Sequence, residues 1–212
     1  MPVRSPQMLR TDARDNRDQI LAAARTLFTE SGLQVTMRQI ARRAAVGPAT
    51  LYRRFPTKQI LIDEAFADEL RTCRQIVDDG CAHEDPWRGF CGVIERLIVL
   101  NAQNQGFVDA FTSSTAEMNA VAAHRVSMIR KLTALTARAQ AMGGLRHDFV
   151  IDDVVLILLA GRGLATLPQE HRARAATRFA AVAVSGLRQS EDNVALPQGS
   201  RMAAAVILGG TA

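Results

Sequence analysis

Between Thr36 and Phe55 the chain reads TMRQIARRAAVGPATLYRRF, a stretch in which guanidinium, phenol and hydroxyl groups gather around a Gly-Pro-Ala tip. Such groups hydrogen-bond to phosphate oxygens and to the exposed edges of bases, so the chemistry on offer is nucleic-acid binding. Arg38, near the start of one short helix, suits a phosphate. Thr36 just before it either caps that helix or shares in drawing a phosphate to it. Gly47 and Pro48 have no hydrogen-bonding side chain, and their use is close approach to a groove. Pro48 and Ala49 can also lie against a thymine methyl. Thr50 can donate to a phosphate or a base edge, and Tyr52 can reach a phosphate with its phenol or serve as a half-buried core aromatic. Arg53 suits either bidentate guanine recognition or a backbone contact.

Two short helices joined by a tight break would hold these groups in one place. Ile20, Ala24, Leu27 and Phe28 fall on one face of a preceding helix expected from Asp15, after a mobile arm over residues 1–13. Ser31-Gly32 supplies its stop, because glycine tolerates the left-handed geometry that ends a helix. Thr36 and Gln39 have capping-box spacing. Met37, Ile40, Ala41 and Ala44 form the apolar stripe that follows, leaving Arg38, Arg42 and Arg43 outward. Val46-Gly47-Pro48 breaks this helix and opens the next, in which Leu51 and Phe55 are the anchors and Pro48 is tolerated in the first turn. Thr57 then caps a long helix to Asp78, closed by Asp78-Asp79-Gly80. Helices follow over 86–104, 107–113, 115–142, 152–166 and 169–189, so the expected fold class is all-α.

The charge is unevenly placed. Residues 1–58 hold 11 Arg and Lys against 4 Asp and Glu, whereas 59–212 hold 15 against 17, so a net +5 chain carries its positive excess at one end. A basic N-terminal quarter on a near-neutral body is the footprint of a nucleic-acid contact surface. Cys73, Cys81 and Cys91 are odd in number and lack a CxxC pair, which favours a reducing cytoplasm over a disulfide framework. No signal-peptide pattern opens the chain, and the apolar run Val154 to Ala160 is too short to span a bilayer, so no membrane partner is expected. Cys81, His83, Glu84, Asp85 and Cys91 cluster around one loop without structural-zinc spacing. Gly161-Arg-Gly163 lacks the third glycine of a dinucleotide fingerprint, and no GxSxG, HExxH or P-loop string occurs. Neither an enzyme, a cofactor nor a metal is expected.

The order of a first helix, TMRQIARRA, VGPATLYRRF and PTKQIL resembles the N-terminal domain of the tetracycline-repressor (TetR) family over about Asp15 to Ala65. Its sharpest part is GPATLYRRFPTK, where Gly47, Thr50, Leu51, Tyr52, Phe55 and Lys58 match the family string of Gly, two small residues, Thr or Ser, Leu, Tyr, a spaced Phe and a Lys three residues later. LRHDFVIDDVVLILLAG, from Leu145 to Gly161, resembles more loosely the entry to the penultimate helix of that family. The resemblance implies a homodimer that binds a palindromic double-stranded DNA operator, usually as a repressor, and lets go when a small molecule enters the C-terminal domain. It also implies a phosphate-clamping role for Lys58. The expected domains are 14–58 for the helix-turn-helix, 59–189 for a larger helical effector-binding and dimerisation unit, and 190–212 as a flexible tail.

Phe90, Ile94, Leu97, Phe107, Phe111, Met118, Met128 and Leu132 sit at helical spacing and can line a mostly apolar effector cavity, with Asn101, Gln103, Gln105 and His124 as orienting tips. Each apolar position is also an ordinary core position. Val154 to Leu164 and Phe179 to Leu187 suit pairing of two chains in a four-helix bundle, or burial within one chain. In the proposed switch the effector re-sets the long helix after Thr57. Two other classes remain open: a DNA-binding factor governed by a protein partner without a small-molecule pocket, and one gated by metal or thiol chemistry.

Overall fold

The computed structural model describes residues 6–104, 107 and 120–199. Its described residues are helical, with one isolated antiparallel bridge between Leu145 and Arg188. Among the described residues no helix is long and apolar enough to cross a membrane. The chain divides into two compact units, Met1–Asp68 and Glu69–Ala212, a boundary later than the one expected after Lys58.

The first unit holds α1 (Pro6–Ser31), α2 (Met37–Arg43), α3 (Pro48–Arg54) and α4 (Lys58–Ala65). α1 starts well before Asp15, so the expected mobile arm is helical from Pro6 onward. Proline is compatible with a helix start because the amide it lacks would have no intrahelical partner there. Gly32, at φ 68, turns the chain out of α1 as expected. Ile20, Ala24 and Phe28 of α1 are buried with Ile40, Leu51, Phe55 and Leu61. Each fully buried phenylalanine or isoleucine contributes on the order of 2 kcal/mol. Arg25 ties α1 to the end of α4, its Nε donating to the Ala65 carbonyl at 2.6 Å, and Arg17 pairs with Glu64.

The expected single helix from Thr57 to Asp78 is two helices. Phe66 interrupts it at φ −106 and ψ 15, between α4 and α5 (Ala67–Ala82). Phe66 is fully buried, its ring 5.8 Å from that of Phe28. The apolar side chain that looked like one more rung of a helix instead turns the chain to reach the α1 core.

The second unit adds α6 (Pro86–Gln103), α7 (Ala120–Ala141), α8 (Ile151–Arg162) and α9 (Gln169–Leu187). Asp85 caps α6, accepting from the amides of Trp87 and Arg88 at 2.9 and 3.1 Å. α6 packs on α7, α8 and α9 through Phe90, Ile94, Leu97 and Ile98, all buried. The expected helix over 107–113 and the start of that over 115–142 lie outside the described residues, Phe107 excepted. α7 ends as expected at Gly143, φ 70, with the amides of Gly143 and Gly144 bonded back to Gln140 and Ala139. α8 stops at Arg162 and a 3-10 turn, Gly163–Thr166, completes the expected span.

Gly80 does not close α5, which continues to Ala82, with the Cys81 carbonyl accepting from Arg138 at 2.8 Å. Gly80 instead faces Gly89 of α6. A Cβ on Gly80 would collide with Val93 Cγ2 and come within 2.9 Å of the Gly89 carbonyl oxygen, and a Cβ on Gly89 would collide with the Gly80 carbonyl. The two helices meet backbone to backbone.

The segment after α9, expected to be a loose tail from Ser190, is bonded to the body as far as Leu196. The buried Arg146 donates to Asp148 Oδ1 and Oδ2 at 2.5 and 2.9 Å, to the Gly186 carbonyl at 3.2 Å and to the Val194 carbonyl at 2.6 Å. The Leu196 amide donates to Asp148 Oδ2 at 2.8 Å. Arg146 and that amide hold the Asp148 carboxyl down at about 2, so it stays charged at neutral pH. Residues 200–212 lie outside the described ones.

Candidate nucleic-acid interface

α2 and α3 owe their positions to caps and a tight turn. Thr36 and Gln39 form the expected capping box: Thr36 Oγ1 accepts from the Gln39 amide at 3.3 Å, and Gln39 Oε1 accepts from the Thr36 amide at 2.8 Å. The Thr36 hydroxyl also donates to Gln39 Oε1 at 2.8 Å, so its hydrogen bonds go to its own helix. Such a cap stabilises by about 1 kcal/mol.

The turn between α2 and α3 centres on Ala45 rather than on Val46-Gly47-Pro48. The Ala45 and Val46 amides bond back to the Arg42 and Ala41 carbonyls at 3.2 and 3.0 Å, and Ala45 takes φ 53. This is the helix-ending loop in which glycine is the usual occupant, because a Cβ crowds the backbone there. Ala45→Gly is therefore expected to raise stability by about 1 kcal/mol, the relieved strain exceeding the added freedom of the unfolded chain. Thermal or urea unfolding showing a loss of stability would contradict this account of the turn.

Beyond the turn, Met37, Ile40, Ala41, Leu51 and Phe55 face inward and are buried. Arg38, Arg42 and Arg43 of α2 are exposed, as are Gly47, Pro48, Ala49, Arg53 and Arg54; Thr50 is half-buried. Tyr52 is 49% exposed, so part of its ring is covered and part is open to a partner. Gly47 has φ −68 and ψ 145, ordinary for any residue, and nothing stands within 4 Å of where its Cβ would be. Nothing inside the chain requires glycine at this position.

Lys58 is the residue whose surroundings the sequence did not foretell. Its ammonium donates to the Leu33 carbonyl in the turn after α1, and partial burial lowers its pKa. One of its three protons is committed to holding that turn, which leaves two for other acceptors. Arg42 and Arg43, not singled out as contacts from sequence, close α2 and extend the cationic surface. Their signal was the same outward spacing that picked out Arg38.

The residues expected to line an effector cavity divide. Phe90, Ile94, Leu97, Phe107 and Leu132 are buried at 1% exposure or less. Phe90 stacks on Trp87 at 6.0 Å and meets Phe149 edge-on at 5.4 Å, which is core packing. Met128 borders a cavity between α5 and α7. Phe111 and Met118 lie outside the described residues. Among the cysteines, burial pushes the Cys73 and Cys91 thiols up to about 12 and raises Cys81 as well, so none is poised as a thiolate.

A helix pair with a buried inner face and an exposed basic, hydroxyl-bearing outer face is a helix-turn-helix, the reading unit of DNA-binding regulators. Residues 20–65 match the model of the bacterial regulatory proteins of the tetR family, and residues 85–189 match the C-terminal domain of SbtR-like transcriptional regulators. The HTH-type transcriptional repressor KstR of Mycolicibacterium smegmatis is 30% identical over 138 residues, 64% of this chain and 68% of the relative. KstR of Mycobacterium tuberculosis is 30% identical over 138 residues, 64% of this chain but 63% of the relative, so the chain spans less than two thirds of that protein. The structure of the ketosteroid transcriptional regulator KstR2 of Mycobacterium tuberculosis, 19% identical, shares the fold, with a TM-score of 0.61 over 82% of this chain and 95% of that one. The chain belongs to the TetR family of transcriptional regulators and is a DNA-binding regulator.

Proposed function

We propose that the protein is a ligand-responsive repressor: a homodimer that occupies a palindromic operator and releases it when a small molecule enters the Glu69–Ala212 unit. The observation that carries this reading is the outer face of α2 and α3. There Arg38, Tyr52 and Arg53 stand exposed around a tip, Gly47-Pro48-Ala49, that is free of bulk. In this reading α3 enters the major groove, with Pro48 and Ala49 against a thymine methyl and Arg53 on a guanine or a phosphate. Arg38, Thr50 and Tyr52 grip the phosphates, joined by Lys58 through its remaining donors. Thr36 serves as the cap that sets the angle of α2.

The dimer reading is supported by apolar surface on the last two helices. Leu156 of α8 and Val182 of α9 are 53% and 60% exposed, with the small residues Ala160 and Ala181 exposed beside them. Two copies of such a pair form a close-packed four-helix bundle, and each dimer then presents two reading helices. Operation on chromosomal DNA places the protein in the cytoplasm.

Selection of bound duplexes from a random pool tests the reading, and a palindrome with half-sites about one helical turn apart is the expected product. With three or four phosphates neutralised per subunit, the dimer's log K against log salt has an expected slope of about −5 to −7. A slope near zero, or a selected site without two-fold symmetry, would remove the operator-binding dimer.

A further inference from the structure

The cavity between α5 and α7 has a volume of about 360 Å³, and its walls differ sharply in character. Val77 and Met128 are buried and, with Ala123, supply apolar surface. Among the described lining residues, Arg74 and Lys131 bring two cations against one carboxylate, that of Asp78. That carboxylate is already engaged, because Lys131 Nζ donates to Asp78 Oδ1. Arg74 is exposed and has no ion-pair partner among the described residues. His124 and Ser127 complete the wall. Burial, and then the nearby charges of Arg74 and Lys131, hold the His124 pKa below its ordinary value, so the ring adds no charge at neutral pH.

We infer that this cavity is the effector site and that its ligand is a small carboxylic acid: an anionic head held by Arg74 and Lys131, with a compact apolar body against Val77, Ala123 and Met128. Among the described lining residues a cationic ligand finds one carboxylate, Asp78, already occupied by Lys131. A neutral ligand gains no charge pairing from the Arg74 guanidinium. The planar fork of Arg74 matches a carboxylate bidentately, and a carboxylate can share Lys131 with Asp78 because an ammonium has three donors. The volume suits a small acid. This place and this charge rest on the effector reading above, which gives neither.

The test is calorimetric titration of the full chain with hexanoate, octanoate, benzoate and 4-phenylbutyrate, each beside its neutral amide. At least one acid is expected to bind once per chain, and its amide tenfold or more weakly. Arg74→Gln is expected to weaken that acid about tenfold and leave the amide unchanged, and Lys131→Gln to do the same. Arg96→Gln, which removes a cation paired with Asp79 at 2.9 Å outside this cavity, is the charge control and should leave acid binding intact. Arg74 is exposed, so its variant folds and the comparison holds. The inference is overturned if no acid binds better than its amide, or if Arg74→Gln binds the acid as the native chain does. Operator release is scored separately. Release by the acid from the native chain but not from Arg74→Gln supports both the site and the repressor reading. Saturable acid binding that needs Arg74 but leaves the operator bound supports the site and overturns release as its function.

Discussion

Alanine at Gly80 or Gly89 is expected to cost about 3 kcal/mol of stability, the upper end of what overpacking does to a close-packed interface. The usual expectation has the opposite sign, because alanine in a helix interior is favoured over glycine by about 1 kcal/mol. Here a methyl group has nowhere to go. At Gly80 it meets Val93 Cγ2 and the Gly89 carbonyl oxygen, and at Gly89 it meets the Gly80 carbonyl and, at 3.0 Å, His83 Cβ. Backbone atoms cannot rotate aside as a long side chain would, so α5 and α6 must separate. For a chain of this size the loss corresponds to a fall in melting temperature of about 6 to 12 °C. A melting temperature equal to or above that of the native chain would mean that the two helices can part at no cost. Gly92, one turn further along α6, has nothing within 4 Å of its missing Cβ, so Gly92→Ala is the matched control and should be neutral or stabilising.

The second large effect concerns DNA. Gly47→Leu is expected to fold as the native chain does, within about 0.5 kcal/mol, because the backbone at Gly47 is ordinary and the space beside it is open. The same substitution is expected to lower operator affinity about 100-fold. An isobutyl group on the tip of α3 holds the backbone away from the groove, and losing two base contacts at about 1.5 kcal/mol each accounts for a change of that size. Gly47→Ala should fall between the two. Fluorescence anisotropy with the selected operator, together with thermal unfolding of the same samples, separates the two outcomes. Native-like operator binding by Gly47→Leu would show that this tip does not enter the duplex, and the assignment of α3 as the reading helix would fall with it.

Features that depend on neighbours in sequence were legible in advance. The Thr36–Gln39 box, the Thr57 cap, the stops at Gly32 and Gly143 and the inward stripes of α2, α3 and α6 all follow from side chains within a turn or two of one another. Features that depend on what lies across the fold were not. Gly80 carries the local signature of a helix terminator, and only the approach of Gly89 reveals that it is there for its size. Phe66 fits a helical stripe, and only Phe28 explains why the helix breaks at it. Pro6 suits an arm by its type and is equally at home in the first turn of a helix. Of the site, the exposure of Arg38 and Arg53 was readable from helical spacing alone. The bond from Lys58 to the Leu33 carbonyl was not, since 25 residues separate the partners. The aromatic and aliphatic residues expected to line an effector cavity share their pattern with core residues, and burial of Phe90 and Ile94 is common to both. Arg74, Asp78 and Lys131 escaped notice because a cavity lined with charge has no periodic signature in either helix that forms it.

The hydrogen bonds made by Arg146 decide where this chain can be cut. A truncation placed at the end of α9 would keep every helix and still strip the guanidinium of the Val194 carbonyl and Asp148 of the Leu196 amide. The ion pair would then face water where backbone partners had held it. The smallest self-sufficient C-terminal piece therefore runs at least to Leu196, and a fusion partner or affinity tag belongs beyond that residue, not directly after the last helix.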